Sequence, residues 1–454
     1  MLKPSNYNFF TETDDNHLLL YNAKTGAFAA VPITAKSDIE YLLKSPCERN
    51  SGDKEILGNL KKGGFLVESG INEFNEIKQV YENYKNDNKK IILTLLASET
   101  CNFNCPYCFI YDRRGFNMKP WVYDAVLKYI EKNAGENAKV KINWFGGEPT
   151  LDHKNIVDFS QRLNKLAEAR KFETKIYTMV TNGYLLTKEK LETYVGLGIN
   201  MFQVTLDGNE VSHDKTRCLV NGGKTFSTIW QNLVDMKSSS GQFDMAIRVN
   251  FLKGMEPEIQ DLTGKFAATF GNDERFSIYF RPVYNFETKR DDICALQDDI
   301  YSLEDGVNLQ MKYNLQAAEA TGTLRTKFLL SNPVPHPIPG WCDTEKKNFW
   351  VIGADGLLFK CDSYIGTKEQ AVARLAENGD VEPLPGAYNW NKNIYEDEKN
   401  TKCLTCKILP LCQGGCPRLR KEGRMVCYLN EAHIKTALLK THAFNVKQSA
   451  SLAK

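Results

Sequence analysis

The sequence predicts an α/β fold built on a parallel sheet, with a small module before it and a cysteine-rich region after it. From about residue 90, short apolar runs alternate with segments of helical period. Residues 1–88 instead combine short strands with short helices, and the chain after about 310 is dense in cysteine. Strands that alternate with helices indicate parallel strands joined by right-handed crossovers.

The first 88 residues are predicted to form a winged-helix-like module. The expected elements are strands at 17–21 and 28–31 around a turn at 22–26, helices at 37–43 and 54–62, a helix stop at Gly63-Gly64 and a strand at 65–67. The charged stretch 73–90 that follows is predicted to be a helical linker to the parallel sheet.

Six strands and five intervening helices are predicted for the sheet region from their apolar runs and periodicity. The strands are expected at 91–96, 139–145, 174–181, 200–206, 244–252 and 276–282, and the helices near 119–133, 152–169, 187–195, 225–239 and 256–269. The remaining region is poor in long periodic segments, as expected of a region organised by metal.

Composition narrows the class of protein. A net charge of +2 is too small for the field that nucleic-acid binding requires, so no nucleic-acid partner is expected. The N-terminus lacks the apolar segment of a signal peptide, and no apolar run approaches the length of a membrane span. We therefore expect a cytoplasmic protein without a membrane partner, in which the 13 cysteines serve as metal ligands more than as disulfides.

The stretch CNFNCPYCF places Cys101, Cys105 and Cys108 on one loop directly after the first predicted sheet strand. Three thiolates cannot complete the four-thiolate shell of a [4Fe–4S] cluster, so one iron would be left for a ligand that is not protein. No second C-x2-C or H-x3-5-H lies nearby, which argues against a zinc finger.

This motif, with the aromatic Tyr107 before its last cysteine, resembles the signature of radical S-adenosylmethionine (SAM) enzymes. The resemblance implies a partial (β/α)6 TIM-like barrel at residues 89–310, with the site at the C-terminal ends of the strands. It also implies that the open iron binds SAM, which one electron cleaves to a 5′-deoxyadenosyl radical. An electron donor such as flavodoxin or ferredoxin is then expected as a partner.

Gly146-Gly147-Glu148 follows the second sheet strand and resembles the family's GGE motif, which binds the methionyl amino group of SAM. Two glycines allow close approach of the backbone to a ligand, and a carboxylate accepts hydrogen bonds from an ammonium group. On its own, such a sequence is more often a turn than a site, and the cysteine motif reverses that preference.

Other strand ends also carry residues that match cofactor contacts in related enzymes. Thr205 and Arg217 match the positions that contact the methionyl and ribose groups of SAM. The alternative interpretation is that Thr205 only ends a strand and that Arg217 is a solvated surface charge. Asn182, Arg248 and Asn250 face the expected site as well, and structural roles are equally open for these three.

The cysteines after residue 340 follow the pattern C-x13-G-x4-C, C-x2-C-x5-C-x3-C, C, which resembles the SPASM domain. A zinc ribbon built from four of them would leave three unused. The resemblance implies a bridging region and SPASM domain at residues 311–454, with two auxiliary [4Fe–4S] clusters and thus three clusters in the chain. The implied ligands are Cys403, Cys406, Cys412 and Cys427 for the outer cluster, and Cys342, Cys361 and Cys416 for the inner cluster.

The inner cluster then has three protein thiolates, and an open iron there could take a thiolate from a substrate, as in thioether-forming peptide maturases. Asp362 matches the position of a catalytic carboxylate in sulfatase maturases, although a turn-capping role is equally open. The remaining Cys47, Cys218 and Cys294 are predicted to be small buried hydrophobes.

The predicted function is modification of a ribosomally made, cysteine-containing precursor peptide by formation of a cysteine thioether. The front module resembles those that bind a leader peptide by adding a strand to a sheet edge. Two alternatives remain open. One is a SPASM enzyme that forms carbon–carbon or carbon–oxygen crosslinks or formylglycine, and the other is an iron–sulfur electron carrier without catalytic activity.

Overall fold

A computed structural model describes residues 1–108, 110, 115–284, 296–321, 334–390, 394–396, 401–424, 427 and 429–452. The chain divides into two compact units. The terminal unit, which contains both chain ends, comprises Met1–Asp87, Phe328–Lys347 and Asn389–Lys454. The central unit comprises Asn88–Lys327 and Asn348–Tyr388. These limits differ from the predicted domain limits at 88 and 310.

The central unit is built on the predicted parallel sheet. Its first six strands are β6 (Lys90–Ser98), β7 (Lys139–Gly146), β8 (Glu173–Thr181), β9 (Ile199–Thr205), β10 (Asp244–Phe251) and β11 (Phe276–Pro282). They are all parallel and adjacent in chain order, which confirms the α/β fold. The connecting helices are α4 (Pro120–Asn133), α5 (His153–Arg170), α6 (Lys188–Gly196), α7 (Glu210–Thr216), α8 (Phe226–Met236) and α9 (Glu256–Phe270), and α10 (Leu303–Thr321) follows β11.

Burial explains why β6 is a continuous apolar run. Both faces of the strand are covered, and every residue from Ile91 to Ser98 is buried. The core around it contains large fully buried rings, among which Trp144 and Phe159 meet edge to face at 5.4 Å. A parallel strand covered on both faces is expected to be apolar throughout, and this property made the first sheet strand recognisable in the sequence.

The sheet extends beyond the six predicted strands. The strand β12 (Phe349–Ile352) pairs in parallel with β6, and Phe349 lies opposite Ile92. Three short antiparallel strands continue from it: β13 (Leu357–Phe359), β14 (Ala373–Leu375) and β15 (Val381–Pro383). The cysteine-rich region predicted as one domain therefore contributes residues 348–388 to the same compact unit as the parallel sheet.

The terminal unit contains two small sheets. One pairs β1 (Leu2–Pro4) with β5 (Leu66–Glu68), and the other has the order β2 (Asn8–Glu12), β3 (His17–Asn22), β4 (Phe28–Pro32). The helices are α1 (Lys36–Lys44), α2 (Ser51–Lys62), α3 (Glu73–Lys85) and, after residue 400, α11 (Thr401–Leu404), α12 (Leu409–Cys412), α13 (Pro417–Lys421) and α14 (Glu431–Leu452). The predicted front elements are present, whereas β1 and β2 were not predicted.

One hydrophobic core joins the front strands to the C-terminal segments. Tyr7 and Leu19 are buried together with Leu409, Leu411 and Ile434. The predicted linker is a packed helix, since Ile77 and Tyr81 of α3 belong to the same core and the Tyr81 hydroxyl donates to Glu345 at 2.9 Å. Removing the front segment would therefore expose the core that also carries the C-terminal cysteines.

A search of the described helices finds none with the length and hydropathy needed to cross a membrane.

Candidate active site

A cavity opens at the C-terminal ends of the central strands, where barrel sites are expected. It has an empty volume of about 970 Å³, part of which is open to solvent. Among the lining residues are the three cysteines of the loop and most predicted cofactor contacts: Cys101, Cys105, Tyr107, Cys108, Gly146, Gly147, Asn182, Thr205, Arg217, Arg248 and Asn250. Glu148 is the one predicted cofactor contact that does not line it. The structure thus brings together residues from five strand ends.

The cysteine loop is held by the segment that follows α7. The Asn104 N–H donates to the carbonyl oxygen of Cys218 at 3.0 Å, and the Val220 N–H donates to that of Asn102 at 3.0 Å. Between these bonds Phe103 forms an antiparallel bridge with Leu219. Backbone bonds on both sides of Phe103 fix the loop, so the cysteine positions depend on this segment as well as on β6.

The two glycines of the GGE sequence are required by contact with the same loop. A side chain at Gly146, whose φ is +129°, would put its Cβ 2.2 Å from the Ser98 carbonyl oxygen. At Gly147 the Cβ would lie 2.3 Å from the Thr100 carbonyl oxygen. The Gly147 N–H donates to Ser98 at 2.8 Å. The glycines therefore let the end of β7 pack directly on the backbone that leads into Cys101, in addition to lining the cavity.

Glu148 is fully buried, and its carboxylate is occupied by protein donors. One oxygen accepts from the Thr150 N–H at 3.0 Å and from the hydroxyls of Thr150 and Thr181. The other accepts from the Asn182 N–H at 2.7 Å. These four bonds tie the ends of β7 and β8 together, so in this conformation Glu148 positions the loop ends and does not face the cavity.

This geometry gives a prediction for Glu148→Gln. The amide would face the Asn182 N–H or the Thr150 and Thr181 donors with its own NH2 group, and a buried donor left without an acceptor costs about 1–3 kcal/mol. We expect a thermal midpoint lower by several degrees, measured by calorimetry on the cluster-loaded protein.

Glu168→Gln on the exposed face of α5 is the matched control and should leave the midpoint unchanged. A Glu148→Gln protein with normal stability but weakened SAM binding would show instead that the carboxylate is a direct ligand of the cofactor.

Tyr107 is the centre of a buried polar network beside the cysteines. Its hydroxyl donates to the Asp207 carboxylate and accepts from Arg217 Nη1 at 2.9 Å. The Thr216 hydroxyl also donates to Asp207, at 3.0 Å. Desolvation raises the pKa of Tyr107. It also raises the pKa of Asp207, and this effect outweighs the lowering by the Arg217 charge. The network links the cysteine loop to the end of β9 and to α7.

Arg217 provides a test of whether the cavity fits an anionic or hydroxyl-bearing ligand. The side chain is only 8% exposed, and its guanidinium carbon lies 5.5 Å from the centre of the Phe103 ring. Its Nε is buried and has no hydrogen-bond partner among the described residues. A buried guanidinium donor without an acceptor at a cavity wall fits a carboxylate or hydroxyl acceptor, such as the methionyl or ribose group of SAM.

Of the other predicted contacts, Asn182 bonds to neighbouring loop residues, whereas Arg248, Asn250 and Thr205 lie on the strands β9 and β10. The Asn182 side chain donates to Asn102 at 2.7 Å and accepts from the Tyr184 N–H at 3.0 Å, so it holds both a turn and the cysteine loop. Arg248 Nε donates to Asn250 at 2.9 Å, on the strand β10 that faces the cavity. Thr205 is buried at the end of β9.

Two residues that the sequence did not single out form hydrogen bonds with the backbone of Asp207 and Arg217. His213 is fully buried and accepts from the Asp207 N–H through Nδ1 at 3.1 Å, while its Nε2 meets the Thr225 hydroxyl at 3.0 Å. Thr225 in turn donates to the Arg217 carbonyl oxygen. His213 and Thr225 carry no motif in the sequence that predicts this role.

The predicted ligands of the inner auxiliary cluster fall in both units. In the central unit, Cys361 follows β13 and its Sγ lies 3.0 Å from the Ser363 hydroxyl. The neighbouring Asp362 is accessible to solvent, yet desolvation by surrounding protein raises its pKa, and the Arg248 charge partly opposes this rise. Cys342 and Cys416 belong to the terminal unit.

The four cysteines predicted for the outer cluster are close enough to interact in the terminal unit. Desolvation, followed by the negative charges of Cys406, Cys403 and Cys427, raises the pKa of Cys412 to about 11. Desolvation and Cys406 likewise raise the pKa of Cys403. The mutual repulsion of these thiolates shows that the four side chains lie close together, and a bound metal would neutralise their charges.

The prediction for the spare cysteines was wrong for Cys47, which is exposed in the segment that follows α1. Cys218 is half-buried. Cys294 lies outside the described residues.

Comparison with known proteins gives a family match within the central unit. Residues 95–242 match the family model of the Radical SAM superfamily. The chain is 24% identical over 354 residues to a cysteine-type anaerobic sulfatase-maturating enzyme of Clostridium novyi (strain NT), covering 72% of this chain and 87% of that protein. It is 25% identical over 264 residues to the radical SAM cyclopropyl synthase TigE of Paramaledivibacter caminithermalis, covering 48% of this chain and 52% of that protein.

Two solved structures have a similar fold. Native anSMEcpe with bound AdoMet superposes with a TM-score of 0.51 at 18% identity, covering 80% of this chain and 99% of that chain. Streptococcus suis SuiB bound to precursor peptide SuiA superposes with a TM-score of 0.51 at 16% identity, covering 93% of this chain and 98% of that chain. The protein therefore carries a radical SAM domain in its central unit, within a fold shared with anSMEcpe and SuiB.

Proposed function

We propose that this protein is a radical SAM enzyme that modifies a peptide, and that the modification is a cysteine thioether. One observation carries the first part. Cys101, Cys105 and Cys108 line one cavity with the buried Arg217, whose Nε lacks an acceptor among the described residues. A cluster-bound ligand with a carboxylate or hydroxyl group fits that combination.

The proposed cofactor contacts are residues of this cavity. Cys101, Cys105 and Cys108 would hold a [4Fe–4S] cluster, and Thr205, Arg217, Arg248 and Asn250 would contact SAM, which when bound supplies a 5′-deoxyadenosyl radical. The Tyr107–Asp207–Arg217 network orients the guanidinium toward the cavity. Because Gly146 and Gly147 lack a side chain, the end of β7 packs against the backbone before Cys101 and sets the position of the cysteine loop relative to the strand ends.

The names of similar proteins support a peptide as substrate. One relative is a sulfatase-maturating enzyme, and SuiB was solved with a precursor peptide. In the terminal unit, β2 is an edge strand that pairs only with β3 among the described strands, and its Phe10 is 45% exposed. Such an edge is suited to bind a leader peptide by strand addition, with the peptide backbone supplying the hydrogen bonds.

The thioether proposal is based on a count of ligands. Seven cysteines after residue 340 cannot supply the eight thiolates of two complete clusters. We place Cys403, Cys406, Cys412 and Cys427 on the outer cluster and Cys342, Cys361 and Cys416 on the inner one. The inner cluster would then accept a cysteine thiolate of the peptide, which fixes the sulfur before the radical attacks. Cys294, the nearest unassigned cysteine upstream, is the competing candidate for this ligand position.

Asp362 is proposed as the base that accepts a proton during radical oxidation. Its pKa is raised by desolvation, which favours proton uptake, and Arg248 lies close enough to act on it. Electrons would come from a flavodoxin or ferredoxin and leave through the auxiliary clusters.

The test is co-expression of the full-length protein with each short, cysteine-encoding open reading frame that is found beside its gene. We expect 5′-deoxyadenosine to form in the reduced, anaerobic enzyme, and the peptide to lose two hydrogens and one alkylatable thiol while it keeps its sulfur, whereas a carbon–carbon or carbon–oxygen crosslink would leave the thiol reactive. Formylglycine made from cysteine would lose the sulfur instead. A peptide of unchanged mass, with no 5′-deoxyadenosine, would favour an electron carrier and overturn the proposal.

A further inference from the structure

Two histidines and one carboxylate meet in the terminal unit, although one of the histidines lies 425 or more positions from the other two residues in the sequence. Asp15 and His17 come from the turn between β2 and β3 and the start of β3, and His442 comes from α14. One potential ligand atom from each residue lies within 4.8 Å of the other two. No regular spacing in the sequence marks this group, because only the packing of α14 on β3 brings its members together.

We propose that Asp15, His17 and His442 form a binding site for a divalent transition-metal cation, zinc being the expected ion. Imidazole nitrogens and a carboxylate oxygen are common zinc ligands, and three protein ligands leave a position for water. This site is separate from the iron–sulfur chemistry and does not depend on the proposed function.

The distances fit such an ion. His442 Nε2 lies 2.8 Å from Asp15 Oδ2 and 3.1 Å from Asp15 Oδ1, and His17 Nδ1 lies 3.4 Å from the same Oδ1. Zinc–ligand bonds of about 2.0–2.1 Å in a tetrahedral shell separate neighbouring ligand atoms by roughly 3.3 Å. Both carboxylate–imidazole pairs therefore lie within about half an ångström of that separation, and the two imidazole nitrogens, which lie within 4.8 Å of each other, would have to approach by up to about 1.5 Å.

The three proposed ligands also differ in solvent exposure: one is buried and two are accessible to solvent. His442 is 7% exposed, whereas the side chains of Asp15 and His17 are 49% and 35% exposed. The turn that carries Asp15 is fixed by Asn16 at φ +60° and by the bond from the Ile33 N–H to the Asn16 carbonyl oxygen at 2.9 Å. Thr13 donates to the Asp15 carboxylate and orients it.

Metal binding needs one nitrogen of each imidazole as a lone-pair donor. His17 Nδ1 now meets the Asp15 carbonyl oxygen at 3.0 Å, a contact in which this nitrogen carries the proton. Coordination would move that proton to Nε2, which is a tautomer change and not an ionisation. The ion would then replace the bonds among the three side chains with bonds to itself.

A metal here would fix α14 beside the edge strand β2. The same helix supplies Lys435 to a groove that Phe10, Glu12, Lys36 and Ile39 also line. Fixing the turn after β2 to α14 therefore stabilises two sides of this groove at once.

The test measures zinc in the full-length, cluster-loaded protein after treatment with one equivalent of zinc and removal of free metal. We expect about one zinc per chain, with X-ray absorption giving a shell of nitrogen and oxygen at about 2.0 Å. His442→Ala and the near-isosteric Asp15→Asn should each lose at least tenfold in zinc affinity. His433→Ala, on the same helix but outside the group, should bind as the parent protein does.

Zinc held by stray thiolates would instead give a sulfur shell at about 2.3 Å, and that result overturns the proposal. Equal zinc content in His442→Ala and the parent protein would do the same. If a variant fails to fold, the absorption spectrum of the parent protein still decides. Formation of 5′-deoxyadenosine, measured in parallel, reports separately on the proposed enzymatic function.

Discussion

Replacing Cys101, Cys105 and Cys108 together by Ala is expected to remove about four irons per chain and to abolish formation of 5′-deoxyadenosine. The three thiolates lie on one loop and line the cavity that Arg217 and Thr205 also face. Without them, SAM would lose both its electron source and the metal that positions it. The measurements are iron content and chromatographic quantification of 5′-deoxyadenosine under reducing, anaerobic conditions.

Cys47→Ala is the matched control, because this cysteine is exposed in the terminal unit and belongs to none of the proposed ligand sets. It should keep both its iron and its activity. The decisive contrary result is cofactor cleavage that continues in the triple variant after the loss of four irons has been verified. In that case the radical chemistry would have to start at a different cluster.

The parts of the fold predicted from the sequence are those with a local signal. The β6 strand is apolar at nearly every position because it is covered on both faces, and the helices between the strands have a regular apolar face. The cysteine loop was placed at a strand end from its position alone. Sequence distance within each βα unit is short, so local patterns and tertiary structure agree there.

The predictions failed where pairing is long-range or the signal is short. The strand β12 has only four residues, and it joins β6 from more than 250 positions away. The strands β1 and β2 lie in a stretch interrupted by Pro4 and by several asparagines, which hides their period. No ligand spacing in the sequence connects His17 and His442, although the packing of α14 brings them together.

Glu148 illustrates a different limit. The sequence predicted a carboxylate available to an ammonium group, but it could not indicate that Thr150, Thr181 and Asn182 would occupy both carboxylate oxygens. The glycines before it were predicted to allow approach to a ligand, and they also allow approach to the cysteine loop. A motif specifies residue types, whereas the competing partners of each side chain become visible only in three dimensions.

Gly147→Ala is expected to reduce formation of 5′-deoxyadenosine by roughly 100-fold, because a displacement of about 1 Å at a reacting group has an effect of this order. The new methyl group would lie 2.3 Å from the Thr100 carbonyl oxygen and 3.0 Å from the Cys101 nitrogen. Both are backbone atoms, so no rotamer change relieves the clash. The loop that carries Cys101 must move, or the end of β7 must, at a cost of about 1–3 kcal/mol.

The same substitution at Gly264 provides the control, since the residue lies inside α9 and a Cβ there meets no atom within 4 Å apart from the neighbouring backbone of its own helix. Gly264→Ala should raise stability by about 0.8–1.0 kcal/mol through helix propensity and leave activity unchanged. Iron content and the initial rate of 5′-deoxyadenosine formation separate the two variants. If Gly147→Ala kept the parent rate, the close packing of β7 on the cysteine loop would not be what fixes the cluster ligands, and Gly147 would then serve only to line the cavity.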